Sequence, residues 1–130
     1  MRSKDQTTRA PPFAYTVGLF GLQHPELLIL GVPPEVASGV LNTLGDRIRA
    51  GEVLLPNFQV TFDDNAWKIV PETVPNPGEI LIGANAYYDR PDFASVPALQ
   101  LSYDDREGRF PWEPQYAAPR MQPRPGTFTA

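Results

Sequence analysis

The single histidine of the chain stands two residues from a glutamate, and this pair is the first candidate for acid–base chemistry. His24, Pro25 and Glu26 form a polar stretch just before an apolar run. An imidazole and a carboxylate held in one loop can act as general acid and base. Pro25 also restricts the residue before it to extended geometry. The same residues are therefore consistent with a structured turn in which His24 bonds the backbone.

A catalytic site built on His24 needs further groups from elsewhere in the chain. Glu26 or Asp105 would orient the imidazole. Tyr15 and Arg47 are candidates to stabilise developing negative charge, and together these groups would suit a small hydrolase or lyase. This hypothesis requires the loops that carry His24 and Asp105 to meet over one pocket.

Two acidic clusters have the composition of either a cation site or a plain turn. Asp104, Asp105 and Glu107 lie within four residues, and carboxylate oxygens are ligands of hard divalent cations. Gly108 follows them, however, and can supply the positive φ that a hairpin turn needs. The acidic stretch at 63–65 has the same two interpretations. The turn is favoured at both places, and no metal site is predicted.

Composition excludes several conventional kinds of site. The chain has no cysteine, which removes thiolate nucleophiles, redox pairs and thiolate zinc sites. Its one histidine excludes metal sites with several imidazoles. The sequence contains no phosphate loop, dinucleotide-binding motif or G-x-S-x-G turn. No cofactor is therefore expected.

Aromatic side chains near the C-terminal end have two interpretations, a lid that packs over the sheet, which is favoured, or a surface that faces a partner. Phe110, Trp112 and Tyr116 lie among prolines, in a stretch without strand or helix periodicity. Aromatic residues usually form the core, but a tryptophan between two prolines is poorly placed in a core strand. A proline-rich extended segment loses little entropy when it docks, so it can lie in a partner's groove or on a second copy of the chain. The binding candidates are Tyr15, Arg47, Phe110, Trp112 and Tyr116.

Length and charge limit the kinds of partner. At 130 residues the chain fits one domain with a real core, and its 16 prolines and 10 glycines predict many turns. The net charge is −4; residues 1–10 and 109–130 each carry +2, so residues 11–108 carry −8. Such an acidic body repels phosphate backbones, which argues against a duplex nucleic acid ligand. No apolar run reaches the roughly 18–20 residues of a membrane span, and the N-terminus lacks the apolar stretch of a signal peptide, so a cytoplasmic protein without membrane contact is expected.

Local patterns predict the elements that position these residues. Residues 13–17 alternate as a strand, and the apolar run at 27–30 predicts a strand buried on both faces. Two prolines and Glu35 are a good helix start, and apolar residues then recur at helical spacing, which predicts a helix over about 34–50. A β-hairpin is predicted over 58–70, with its turn in the acidic stretch.

The second half of the chain contains one ambiguous segment. Prolines at 71, 75 and 77 predict irregular structure up to Gly78. Residues 79–89 have apolar side chains at helical spacing, so a helix is favoured over a strand there, although Gly83 weakens it. A strand is predicted over 98–103, followed by a polar turn. From residue 114 the chain should be extended and at best partly ordered.

The order of these elements predicts an α+β fold. We expect a single two-layer domain with a mainly antiparallel sheet of about five strands, two helices and an extended proline-rich C-terminal tail. The expected divisions are an N-terminal tail at 1–10, the domain at 11–113 and the C-terminal tail at 114–130.

Several short motifs, taken in order, resemble one protein family. They are FAYTVGL at 13–19, HPEL at 24–27, the Pro-Pro-Glu helix start at 33–35, ALQL at 98–101 and DREGRFPW at 105–112. Together they resemble the bacterial domain-of-unknown-function 4262 family over residues 11–113. The resemblance implies a small cytoplasmic bacterial protein without an established activity. It also draws attention to His24 and Glu26, which are polar members of these motifs.

Two functions of different classes are open at this point. The first is a binding or protein-interaction module that uses the aromatic, proline-rich C-terminal segment and takes a protein partner or a second copy of the chain. The alternative is a small hydrolase or lyase with His24 as general acid/base and Glu26 or Asp105 as its partner. The scarcity of catalytic side chains favours the first. A buried His24 with both ring nitrogens bonded to backbone would remove the support for the second.

Overall fold

A computed structural model of the chain describes residues 11–61 and 67–130. Its α-helices and strands in these residues form one sheet and two helices. The strand order across the sheet is β1-β2-β5-β4-β3, with β2 and β5 parallel and the other neighbours antiparallel. The strands are β1 (Phe13–Tyr15), β2 (Glu26–Leu30), β3 (Val60–Thr61), β4 (Lys68–Thr73) and β5 (Ala98–Tyr103). The helices are α1 (Pro34–Arg49) and α2 (Ile82–Tyr87). Neither of these described helices has the length and apolar character needed to cross a membrane.

The first helix follows the sequence pattern that predicts it. Pro34 lies in its first turn together with Glu35, and Arg47 and Arg49 lie in the last turn, so both ends suit the helix dipole. The helix ends before Gly51, whose φ of 110° is in the left-handed region. Its buried hydrophobic side chains share one face at helical spacing. They are Ala37, Val40, Leu41, Leu44 and Ile48.

The two central strands, β2 and β5, are buried along their whole length. Successive side chains of a strand point to opposite faces of the sheet. The face toward α1 carries a hydrophobic cluster that includes Leu27, Ile29 and Leu101. The other face, which we call the second face, carries a cluster that includes Leu28 and Leu30 and is packed by α2 and Phe128. The predicted two-layer arrangement therefore lacks part of the structure, because the sheet is covered on both faces and not only on one.

The predicted α+β class, with one sheet and two helices, is confirmed. Four strands have three or more residues, and a count of five is reached only with the two-residue β3 at one edge. The helix predicted over 79–89 is present but shorter, since a 3-10 turn at Pro77–Glu79 precedes α2. The turn predicted at 63–65 lies outside the described residues.

The prediction of irregular structure from Pro71 onward is wrong, because β4 continues through this proline. Pro71 pairs with Leu101 of β5, and on its other side its carbonyl oxygen accepts the Asn57 N–H at 2.7 Å. The pairing of β3 with β4 stops at Ile69. Pro71 has no N–H, but on this side of β4 no neighbouring strand needs a donor at that position. A sheet tolerates proline in such a place.

Residues 114–130, which we call the C-terminal segment, contact the second face of the sheet through Arg124 and Phe128. Phe128 is buried in the second-face cluster, and Gln122 is buried at the end of β5. Arg124 forms an ion pair with Glu72 of β4. This arrangement differs from the expected extended and partly ordered tail, because side chains of the segment find specific partners on a distant part of the chain.

Candidate functional site

His24, the centre of the catalytic hypothesis, has both ring nitrogens bonded to backbone. Its side chain is buried, and Nε2 accepts the Leu54 N–H at 3.0 Å. Nδ1 lies 2.8 Å from the Pro25 carbonyl oxygen. Because Nε2 accepts, we assign the proton of the neutral ring to Nδ1, which then donates to Pro25. This is the arrangement that removes the support for His24 as a general acid/base.

Glu26 is fully buried at the start of β2, where its carboxylate organises the loop before the strand. Four donors converge on its two oxygens. They are Thr16 Oγ1 at 2.6 Å and the N–H groups of Gly18, Leu19 and Phe20 at 2.9, 3.1 and 3.0 Å. The carboxylate thus stabilises the start of the 3-10 turn Leu19–Leu22. Its hydrogen bonds do not involve His24, so the two polar motif residues have separate structural roles.

Asp105 closes the turn that follows β5. Its Oδ1 accepts the N–H groups of Glu107 and Arg109 at 2.8 and 2.9 Å, and its Oδ2 accepts the Ala117 N–H at 2.9 Å. Desolvation raises the pKa of this carboxyl, but the three N–H donors outweigh it and hold the pKa below the ordinary value. These contacts support the turn interpretation. Within 11–61 and 67–130, no group of three histidine or carboxylate side chains is arranged to hold a metal ion.

Tyr15 and Arg47, the candidates for stabilising negative charge, lie on different elements. Tyr15 packs against the second-face cluster, and its hydroxyl oxygen accepts the Gly83 N–H of α2 at 2.7 Å. Arg47 forms a two-point ion pair with Glu52 just beyond α1, with nitrogen–oxygen distances of 3.0 and 2.7 Å. The two residues line different depressions, and His24 lines neither of them. The structure therefore does not bring the catalytic candidates together.

The other three aromatic binding candidates lie just before or within the C-terminal segment. Phe110 is buried and stacks on Trp112, with ring centroids 4.8 Å apart and planes inclined by 3°. Trp112 remains 44% exposed, and the Arg124 guanidinium lies 5.0 Å from its ring centroid. The hydroxyl of Tyr116 contacts the Gln122 amide, and burial raises the pKa of this tyrosine.

Glu72 and Trp112 contact the guanidinium of Arg124, and Ser102 holds Glu72; we call Glu72, Ser102 and Trp112 the guanidinium clamp. Nη1 and Nη2 of Arg124 donate to Oε1 and Oε2 of Glu72, both at 2.7 Å. Ser102 Oγ donates to the same Oε1 at 2.6 Å, which fixes the carboxylate. Trp112 contributes its ring as a cation–π partner. Two parallel charge-assisted hydrogen bonds and an aromatic face form a geometry that is specific for a guanidinium.

The sequence analysis missed Glu72, Ser102 and Arg124. Glu72 lies 30 positions from Ser102 and 52 from Arg124, so no local pattern links them. One signal was available in the strand ALQLSY at 98–103, where Gln100 and Ser102 alternate with leucines. Polar side chains on one face of a buried strand need hydrogen-bond partners, and this predicts that something polar covers that face.

Comparison with known proteins identifies a family for most of the chain. The family model described as "Domain of unknown function (DUF4262)" matches residues 2–117. No curated protein and no solved structure matches the chain. The matched range contains His24 and Glu26 as well as the whole guanidinium clamp, and it ends before Arg124. Because the match covers most of the 130 residues and agrees with the ordered motifs, the chain belongs to this family of unknown function.

Proposed function

We propose that this protein is a peptide-binding module that holds a turn-rich, arginine-bearing segment across β4 and β5. In this chain the C-terminal segment is itself the occupant of the site. The observation that carries the proposal is the guanidinium clamp around Arg124. A clamp of this kind recognises one chemical group by charge, geometry and stacking together, which is what specific binding of a flexible segment requires.

Arg124 is the polar anchor of the docked segment. Ser102 holds the Glu72 carboxylate in place, and Arg124, which keeps 39% of its side-chain surface exposed, meets that carboxylate from the solvent side. Stacking on Trp112 adds about 0.5–2 kcal/mol of cation–π attraction. A lysine would keep the charge but would lose the two-point hydrogen bond and most of the stacking. The site should therefore distinguish arginine from lysine.

Gln122 fixes the register of the segment against β5. Its Nε2 donates to the Tyr103 carbonyl oxygen at 2.8 Å, and its Oε1 accepts the Tyr103 N–H at 3.1 Å. The side-chain amide thus pairs with the strand as a neighbouring peptide group would. Gln100 of β5 completes the alignment, since its Nε2 donates to the Pro123 carbonyl oxygen at 2.8 Å.

Phe128 is the apolar anchor of the segment. Its ring is buried in the second-face cluster and meets the ring of Phe13 edge-on, with centroids 5.2 Å apart. Asn76 Nδ2 donates to the Phe128 carbonyl oxygen at 2.9 Å, which holds the backbone at this point. Burial of a phenylalanine side chain contributes roughly 1.5–3 kcal/mol. The segment is therefore held at two places, by charge at β4 and by apolar burial near β1.

The clamp lies in the part of the chain that the family model matches, whereas residues 118–130 of its occupant, with Arg124, lie beyond it. The match ends at residue 117, and the connection to the docked part contains Pro114 and Gln115, the latter at a positive φ of 68°. An occupant joined by a short connection acts as a ligand at high local concentration. A competing peptide of the same chemistry can then replace it when its own concentration is high enough.

A synthetic peptide with the sequence of residues 119–130 tests the proposal in trans. The host is the full-length chain with Arg124→Ala, whose own segment has lost its polar anchor. Circular dichroism checks that this host is folded. Calorimetry should show saturable binding of the peptide, and the wild-type chain should bind it more weakly because its own segment competes.

A matched peptide separates recognition of the guanidinium from general attraction of positive charge. In that peptide Arg124 is replaced by lysine, and we expect its binding to the Arg124→Ala host to be at least tenfold weaker. A host that also carries Glu72→Gln should bind the original peptide at least tenfold more weakly. Equal affinity for the two peptides would overturn the proposal, as would the absence of saturable binding to a folded host.

A further inference from the structure

We propose that the groove between α1 and β1 binds a small amphipathic carboxylate, with Arg49 as the cation that receives the carboxylate group. This site lies on the α1 side of the sheet and shares no residue with the guanidinium clamp. It is therefore independent of the peptide-binding function, and either proposal can fail without the other.

The groove has the size of a small-molecule site. Its volume is about 520 Å³, and ligand pockets typically measure about 300–1,000 Å³. One wall is α1, and the other is formed by residues 14–19 and Leu22. Leu41 contributes apolar surface from the helix, and Val17 and Leu22 remain exposed beside it. These side chains place apolar surface next to the polar groups of the groove, and such a mixed lining suits an amphipathic ligand.

One row of α1 supplies polar groups to the groove. Ser38, Asn42, Gly45 and Arg49 follow one another at intervals of three or four residues, so they lie along one side of the helix. The row is about 16 Å long at the rise of an α-helix. Arg49 has the one charged side chain among the described residues that line the groove. A single cation in a groove with both polar and apolar surface is complementary to an amphipathic ligand with one negative charge.

Gly45 provides an independent observation that the Arg49 side chain belongs to this groove. Glycine within a helix weakens it relative to alanine, so its presence there needs a compensating role. A Cβ atom at position 45 would lie 3.2 Å from Nη1 and 3.5 Å from Nη2 of Arg49. The guanidinium thus folds back along the helix over the space that the missing side chain leaves.

The Arg49 guanidinium is only weakly engaged in this position. Its ion pair with Asp46 has a nitrogen–oxygen distance of 3.7 Å, which is too long for a hydrogen bond. A ligand carboxylate at hydrogen-bond distance would therefore interact more strongly with Arg49 than Asp46 does.

Octanoate is the probe for this site, and octanol is the control with the same chain length and no charge. Titration of the full-length protein, followed by amide chemical shifts, should give saturable shifts at residues that line the groove. Octanol should bind at least tenfold more weakly. Arg49→Gln should remove the preference for octanoate over octanol.

Two glycines of α1 provide a matched pair of variants. Gly45→Leu fills the space that the guanidinium occupies, whereas Gly39→Leu projects into open space, since nothing lies within 4 Å of its Cβ position. We expect at least tenfold weaker octanoate binding in the first variant and unchanged binding in the second. Equal effects of the two substitutions, equal binding of octanol, or no saturable shifts in the folded wild-type protein would each overturn the proposal. If Gly45→Leu does not fold, the Arg49→Gln result decides.

Discussion

Glu26 shows how a buried carboxylate is stabilised in this protein. A carboxylate that is buried away from water strongly destabilises the folded state unless hydrogen bonds within the protein replace those to water. Here Thr16 and three backbone N–H groups supply them, and the same bonds satisfy the N–H groups at the start of a 3-10 turn. The side chain and the loop therefore stabilise each other, and a change at Glu26 should act on stability.

Glu26→Gln should lower the free energy of unfolding by about 2–3 kcal/mol, because the amide nitrogen cannot accept and leaves backbone donors without a partner. Urea denaturation followed by circular dichroism measures the change. Glu35→Gln is the control, since Glu35 is exposed in the first turn of α1 and its loss should cost at most about 1 kcal/mol. A loss at Glu26 no larger than the loss at Glu35 would contradict this role.

The residues of the candidate site were only partly visible in the sequence. Trp112 stood out because a tryptophan between prolines does not fit a core strand, and the structure has it half-exposed beside Arg124. Glu72 and Arg124 did not stand out, because a charged residue in a strand or a tail has no local mark that identifies a partner 52 positions away. His24 drew attention by its uniqueness, which says nothing about what its ring nitrogens bind.

Elements with a strong local pattern have nearly the expected bounds. The strand predicted over 98–103 is β5, Ala98–Tyr103, and the helix predicted over about 34–50 is α1, Pro34–Arg49. The hairpin predicted over 58–70 includes the start of β4, but the extension of this strand past residue 70 was missed. That extension depends on pairing with β5, and proline propensity alone predicts the opposite. The packing of the C-terminal segment on the second face was missed for the same reason, because it depends on contacts with residues that are distant in the sequence.

The turn after β5 should respond to acid through Asp105. Its pKa is lowered in the folded state, so its contribution to stability is complete above the ordinary value of 3.8 and is lost as the pH falls through the folded-state pKa. Asp105→Asn removes this contribution. The difference in free energy of unfolding between wild type and Asp105→Asn should therefore be largest near neutral pH and should shrink below pH 3.8, as urea denaturation at several pH values can measure. A difference that does not change with pH would contradict the assignment.

At the scale of the whole molecule, the two faces of one sheet are closed in different ways. α1 closes the first face with a continuous apolar row, whereas α2 and the C-terminal segment share the second face. The segment carries Arg124 onto a body whose residues 11–108 have a charge of −8. This charge attracts a basic segment from solution as well as from the same chain, and the attraction weakens with salt. Under the proposed function, the molecule combines a sheet with an attached segment that acts as a ligand.

The position of a bound peptide is the most direct test of this view. A peptide of residues 119–130 bound to the full-length Arg124→Ala chain should place its Arg124, and not its Arg120, at the guanidinium clamp. Isotope-filtered nuclear Overhauser spectroscopy should then show contacts between the side chain of Arg124 in the peptide and the indole protons of Trp112 in the host. Contacts of that arginine with another part of the chain, and none with Trp112, would contradict the proposed function.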